Sequence, residues 1–430
     1  MMTPTCNPTS SSSTTLLRCG RLFTGTGEQV IGGATVVIEK GRIAGVDRSL
    51  TTGPKDAEVI DASKHFVMPG LIDSHLHIIG AASDDFMRER FAVPSGLSLL
   101  RASRHVESLL AAGFTTVRDC GGTHALHLKR AVREGVILGP RIIAAGFVLT
   151  QTFGHCDDHY LPIDWVDHRK TGRGYSLVCD SADECRKATR YSLREGADFI
   201  KICTSGGIMS ARDTPEHVQF CLAEIEAIVA AARDGHTFVA SHAQNDIAIR
   251  NAILGGCRTI EHGFGIGDET VKLAKSRGTI FVPTLGLDRA IIDGGVAAGF
   301  DDWAVAKMTA YWEMEIDHTR RLYKQGVTMA IGSDFLGSPL SRMGKNAREL
   351  TLLTQYCGLE AHEILVAATR NGATACGIDS ETGTIEEGKS ADLIIVNGDP
   401  LTAISVLEDQ TAIKGVIKEG RVCVDRGLYG

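Results

Sequence analysis

The sequence predicts an α/β chain: a (β/α)8 TIM-type barrel with a small β-sandwich domain built from the N- and C-terminal segments. Three observations predict it. Eight short apolar runs alternate with amphipathic segments across residues 69–376. Strand-like pieces rich in β-branched residues flank that region on both sides. Metal-capable side chains fall at the ends of five of the eight runs.

The runs are Leu71–His77, Thr115–Arg118, Arg141–Ala145, Asp198–Ile202, Thr237–His242, Thr259–His262, Ile280–Thr284 and Thr328–Asp334. From His77 to Asp334 is 257 residues over seven intervals, about 37 each, and a strand with its returning helix needs roughly 30 or more. Eight such units fit a closed parallel barrel better than an open sheet. The helical signals agree. Ser181-Ala-Asp-Glu184 reads as a capping box, with Gly196 stopping that helix before the next strand. From Pro215, Val218, Leu222, Ile225 and Val229 recur at helical spacing up to Gly235. Trp303 and Trp312, at helical spacing with Met308, read as packing.

The flanks hold Leu16 to Phe23, Ala34 to Glu39 and Arg42 to Val46, then Ala391 to Val396, Ile413 to Lys418 and Arg421 to Val424. Each piece is bounded by Gly, Asn or Asp, as half-buried strands are. Neither group is self-sufficient, so one shared domain from 16–68 plus 377–430 is expected, with the barrel over 69–376. Residues 1–15 read as a disordered tail.

Composition excludes several classes. The 45 Lys and Arg against 52 Asp and Glu give a net charge of −7. With no basic stripe, nucleic acid is not an expected partner. No run of eighteen uncharged apolar residues exists, so no membrane span is expected. The start lacks the basic and apolar regions of a secretory signal. Twelve scattered cysteines without a CxxC pair fit a reduced, cytoplasmic setting, with Cys203 and Cys221 as small core residues.

Barrel enzymes work at the C-terminal ends of their strands. His75 and His77 end the first run, and period-two alternation puts both imidazoles on one face. Two converging neutral imidazoles suit Zn²⁺ or a similar metal, although a His-x-His pair alone is also compatible with ordinary histidines. Asp73 shares that face, either to orient an imidazole or to cap a barrel layer. Lys201 follows apolar Phe199-Ile200, where an ammonium is costly. A lowered pKa, carboxylation to a metal-bridging carbamate, or snorkelling to the rim would each resolve that cost. His242 and His262 each end an apolar run; singly they read as core histidines, and beside His75 and His77 they read as ligands. Asp334, at the last run's end, is placed to touch a metal and accept a proton from its water.

Pro69-Gly-Leu-Ile-Asp-Ser-His-Leu-His77, Lys201, His242, Glu261-His-Gly263 and Gly332-Ser-Asp334, in that order, resemble the metal motifs of the amidohydrolase superfamily. The similarity continues through Gly383 to Ala391 and the Asp392-Leu-Ile-Ile-Val that follows, covering nearly the whole chain. Leu149-Thr-Gln-Thr-Phe-Gly-His155 and the stretch from Lys201 to Ser210 are similar to the Xaa-Pro dipeptidase-like and ochratoxinase-like branch. That resemblance implies two divalent metal ions, foremost Zn²⁺. His75, His77 and Asp334 would hold the buried one and His242 and His262 the other, with N6-carboxylated Lys201 bridging. It also places His155 beside the substrate. The branch usually carries Gly-His-Gly, whereas here Gly154-His-Cys156-Asp-Asp158 stands, so the pocket departs there.

The implied activity is that of a binuclear-metal amidohydrolase working through a metal-bridging hydroxide. Its small-molecule substrate would be an N-acyl amino acid, an Xaa-Pro dipeptide or an aryl amide such as ochratoxin A. Asp334 and His155 are the expected catalytic residues, with His159, Tyr160 and Arg212 as further substrate contacts. The resemblance also implies a homo-oligomer. The rival readings are a hydrolase of a cyclic amide, urea or carbamate, or a heterocycle deaminase, on the same fold. A non-catalytic scaffold is disfavoured because all six ligand positions are filled.

Overall fold

The computed structural model describes residues 14–27, 30–50 and 54–428. Residues 1–13, most of the expected tail, lie outside them, and the first strand begins at Thr14. The chain opens with β1 (Thr14–Leu22), β2 (Ile31–Glu39), β3 (Arg42–Asp47) and β4 (Glu58–Pro69). The barrel region follows with β5 (Leu71–Leu76), β6 (Phe114–Asp119), β7 (Arg141–Ala144), β8 (Val148–Thr150) and β9 (Ser176–Val178). It continues with β10 (Ile200–Cys203), β11 (Val239–Ala243), β12 (Thr259–His262) and β13 (Ile280–Val282). The chain ends with β14 (Leu393–Val396), β15 (Ile413–Lys418) and β16 (Arg421–Asp425).

The terminal segments share one sheet, ordered β16-β15-β14-β4-β1-β2-β3. β4, which the sequence reading did not single out, is the joint: it runs parallel to β1 and antiparallel to β14. Successive residues of a strand face opposite sides, and a register shift in β4 between Ala62 and Phe66 exchanges the two faces. Leu17, Val36, Ile38, Ile60, Ile395 and Ile417 enclose the sheet's own core. Phe66, Met68, Ile394 and Val416 pack into the barrel's core. Ile43 near one edge and Ile417 near the other belong to the same cluster, so the sheet curls over itself. The expected sandwich layers are therefore two parts of one sheet.

The barrel has eight staves. β5, β6 and β7 pair in parallel, as do β8, β10, β11, β12 and β13. The third stave is split between β7 and β8 around Gly146, whose φ of 68° breaks the strand. β10 and the residues leading into it span the split: Asp198 N donates to Ala144 O at 2.8 Å, and Lys201 pairs with Val148 above it. The eighth stave, 328–335, is irregular and bonded on both sides. Ala330 N donates to Phe281 O (2.9 Å), while Ser74 N donates to Ile331 O (2.9 Å) and Asp334 N to His75 O (2.7 Å). These bonds close the barrel. β9 adds a short strand outside β8.

The helix Ala182–Arg194 starts where the capping box predicts, with Glu184 N donating to Ser181 Oγ. The helix expected from Pro215 starts only at Leu222. Residues before it form a loop in which Val218 bridges to Ser205 and Phe220 adopts φ 54°. Cys221, expected in the core, is exposed at that helix's N-terminus. Among the described residues no helix is long and apolar enough to cross a membrane.

Candidate active site

The C-terminal strand ends converge on a cavity of about 390 Å³ whose lining includes His75, His77, Lys201, His242, His262 and Asp334. β5 delivers His75 and His77 on one face, β10 delivers Lys201, β11 His242, β12 His262 and the eighth stave Asp334. Asp334 Oδ1 lies 3.1 Å from His77 Nε2 and 3.4 Å from His75 Nε2. Lys201 Nζ is 3.5 Å from the same His75 nitrogen. Ring centroids of His242 and His262 are 4.6 Å apart, and those of His75 and His262 5.3 Å. His262 and Asp334 adopt φ of 69° and 56°, a left-handed backbone that is costly for non-glycine residues and concentrated at functional sites.

Each imidazole is anchored through one nitrogen. His75 Nδ1 meets Glu261 Oε2 at 2.8 Å and His77 Nδ1 meets Gly121 O at 2.7 Å. His262 Nδ1 meets Thr284 Oγ1 at 2.6 Å and His242 Nε2 meets Gly206 O at 3.0 Å. A carboxylate or carbonyl partner makes the ring nitrogen the donor, so Nε2 of His75 and His77 and Nδ1 of His242 are the nitrogens left over; the Thr284 hydroxyl can donate or accept, and as an acceptor it leaves Nε2 of His262. Burial, reinforced by neighbouring cations, pushes His75, His242 and His262 well below the usual histidine pKa. They are neutral, as ligands must be. Burial would raise Asp334, but its hydrogen bond to His77 and the charges of His77 and Lys201 hold it below the ordinary carboxylate value. Burial opposes a charge on His77 as well, but its hydrogen bond to Asp334 and that carboxylate's charge raise its pKa. Three neutral imidazoles, with His77 paired to an ionised carboxylate, fit a divalent-cation centre. Ligand atoms of His75, His262 and Asp334 lie within 4.8 Å of one another. Cys120 and Glu261 group with His75 in the same way. That second trio does not fit a cation, because Glu261 is committed to Arg118 and burial keeps the Cys120 thiol protonated.

The lowered pKa considered for Lys201 is not found. Burial opposes its ammonium, but Cys120, Glu261, Cys203 and Asp334 raise the pKa. Cys120 being neutral, the two carboxylates are the charges that hold the proton. Asp73 does not orient an imidazole. It accepts from the backbone of His75 (3.0 Å), from Ser333 Oγ (2.6 Å) and from Asn346 Nδ2 (2.8 Å), tying the first stave to the eighth. Orienting His75 falls to Glu261, whose neighbouring His262 faces the cavity.

His155 sits in the loop after β8, its ring stacked on His242 at 4.2 Å. Its Nδ1 lies 2.8 Å from Ser210 Oγ, and Ser210 in turn donates to buried Asp213. That relay fixes Nδ1 as the donor and Nε2 as the acceptor. Burial lowers its pKa to about 4. His159 and Tyr160 line the cavity. Arg212 does not: its side chain is exposed, because the inward hydrogen bonds of Ser210 and Asp213 turn it outward. Instead Arg90, on the helix Phe86–Phe91, lines the cavity, held by Asp158 (2.9 Å) and lying 4.1 Å over Tyr175. Trp312 is packing, but Trp303 lines the cavity wall.

A closed parallel barrel with this cluster at its strand ends defines a hydrolase scaffold. The chain belongs to the amidohydrolase family, whose profile matches residues 66–423, and it hydrolyses amide or peptide bonds. It is similar to ochratoxinase of Aspergillus niger, 30% identical over 98% of this chain and 88% of that protein. Among solved structures it resembles a Xaa-Pro dipeptidase with bound methionine, at TM-score 0.86 and 30% identity over 95% of this chain and 99% of that one. It also resembles a prolidase complexed with N-methylphosphonate-L-proline, at TM-score 0.88 and 31% identity over 96% of this chain and all of the other.

Proposed function

We propose that the chain is a binuclear-metal amidase that cleaves an N-acyl amino acid, an Xaa-Pro type dipeptide or an aryl amide such as ochratoxin A. The observation that carries this is the convergence of four anchored imidazoles, three of them kept neutral by burial, on Asp334 in its ionised form. His75, His77 and Asp334 would hold one divalent ion, His242 and His262 the other, with carboxylated Lys201 between them. Such ions, Zn²⁺ foremost, lower the pKa of a bound water and polarise a carbonyl. Lys201 must give up the proton that Glu261 and Asp334 favour before its nitrogen can take up CO₂.

The chain's own groups then do the rest. Asp334 accepts a proton at its carboxylate as the water attacks and hands it to the leaving nitrogen. His155 offers Nε2 as a hydrogen-bond acceptor to the amide, its ring fixed by Ser210 and Asp213. His159 and Tyr160 border the substrate. Arg90 brings a cation to the wall where a free substrate carboxylate would lie. The ochratoxinase and prolidase likenesses support this substrate class. The reading includes a cytoplasmic homo-oligomer, checked by cell fractionation and sedimentation.

The test pairs metal content per chain, on protein purified without chelator, with amino-acid release from N-acyl amino acids, Xaa-Pro dipeptides and ochratoxin A. Two metals with release from a panel member is the expected result. One metal and no release sinks the lysine bridge and favours the cyclic-amide or deaminase reading.

A further inference from the structure

We propose that Cys156 and Cys203 form an oxidisable thiol pair in the cavity wall, which hydroperoxides convert to a disulfide. Their Sγ atoms are 3.7 Å apart. Both residues line the cavity, and Cys156 is partly exposed. Cys203 ends β10, two residues beyond Lys201, and Cys156 follows His155 in the loop after β8. The pair therefore joins a barrel stave to the loop that carries His155.

A second pair shows that proximity is not the only requirement. Cys179 and Cys185 have Sγ atoms 3.4 Å apart, but both are fully buried and neither lines the cavity. An oxidant entering from solvent reaches Cys156 and not Cys179. Site selectivity for oxidation follows access in this way.

The chemistry balances with the hydroperoxide as the sole co-reactant. The Cys156 sulfur attacks its O–O bond; an S–O bond forms, the O–O bond breaks, and hydrogen peroxide leaves one water. The Cys203 sulfur then displaces the sulfenic oxygen as a second water, closing the S–S bond. The two thiols lose two electrons and two protons, and the peroxide takes up both.

A disulfide needs an S–S distance of about 2.05 Å, so the sulfurs must approach by roughly 1.6 Å. Cys203 is held in the barrel wall, so the approach falls to Cys156, and any movement of its loop carries the adjacent His155 with it. A displacement of this size in a reacting site costs on the order of 100-fold in rate.

The test treats the full-length protein with a few equivalents of hydrogen peroxide, then alkylates free thiols in denaturant and maps the peptides by mass. The expected product is a Cys156–Cys203 cross-link, lighter by two hydrogens and reversed by dithiothreitol, with Cys179 and Cys185 alkylated. In Cys203→Ser, Cys156 should instead accumulate as a sulfenic acid trapped by dimedone. If that variant does not fold, Cys156→Ala should abolish the cross-link and leave Cys203 reduced. Cross-linking of Cys179 to Cys185 first overturns the proposal, as does Cys156 remaining a thiol or passing to sulfinic acid beside free Cys203. The mass readout is independent of the substrate proposed above. Loss of about 100-fold in amide hydrolysis, restored by dithiothreitol, is the additional arm that reads the consequence.

Discussion

Arg118 Nη2 lies 2.8 and 2.9 Å from the two carboxylate oxygens of Glu261, and neither side chain is exposed to solvent. The same carboxylate meets His75 Nδ1 at 2.8 Å, so one buried ion pair sets the tautomer of a candidate metal ligand. Glu261→Gln leaves a buried, uncompensated guanidinium and should cost about 3–5 kcal/mol, read from urea unfolding. Replacing both partners with apolar residues should cost less than either single change, because no lone charge remains. Its metal content should still fall, because His75 has lost its anchor. A double variant as unstable as the worse single one would show that the pair's role is packing.

Asp334 combines a proton-carrying role with a left-handed backbone, φ 56°. Asn tolerates that conformation and Ala does not. Asp334→Asn should therefore fold with little change in Tm while kcat falls by ~10²–10⁴. Asp334→Ala should lose as much activity and a further ~1 kcal/mol of stability. An Asn variant keeping a tenth of the wild-type kcat would remove Asp334 from proton transfer.

The convergence of His75, His77, Lys201, His242, His262 and Asp334 was legible because strands place residues by parity and barrels place chemistry at one end; their division between two metals came only with the family motifs. Arg90 was not legible. It lies on a six-residue helix, Phe86–Phe91, inside the loop after β5, where no periodicity marks which side chain returns to the cavity. Arg212 misled for the same reason, since two neighbouring hydrogen bonds decide its direction. Glu261 was quoted only as a neighbour of His262, and its partner Arg118 lies 143 residues away in sequence. The split third stave depends on Gly146, one glycine among 48 in the chain.

Gly207 fixes the position of His155. A Cβ at Gly207 would lie 2.3 Å from Cε1 and 2.5 Å from Nδ1 of the His155 ring. Gly207→Ala therefore forces the imidazole off Ser210 and off His242. The expected result is a fall in kcat/KM of ~10–100-fold with metal content and Tm near wild type. Unchanged kinetics on the substrate panel would mean that the position of His155 does not govern catalysis.

His105 gives the fold an acid-side weakness outside the metal cluster. Its ring packs against Gly337, where a Cβ would come within 2.3 Å of it. Burial, with the charge of Arg101 adding to it, lowers its pKa from 6.5 to about 4. Above pH 6.5 both folded and unfolded chains hold it neutral, and its packing counts in full. As the pH falls below 6.5, the unfolded chain takes up a proton that the folded chain refuses until about pH 4. Linkage then draws the equilibrium toward unfolding across that window. His105→Gln removes the titration, so its urea midpoint should drop less than that of the wild type between pH 7 and pH 5. Equal drops in the two proteins would place the acid sensitivity elsewhere.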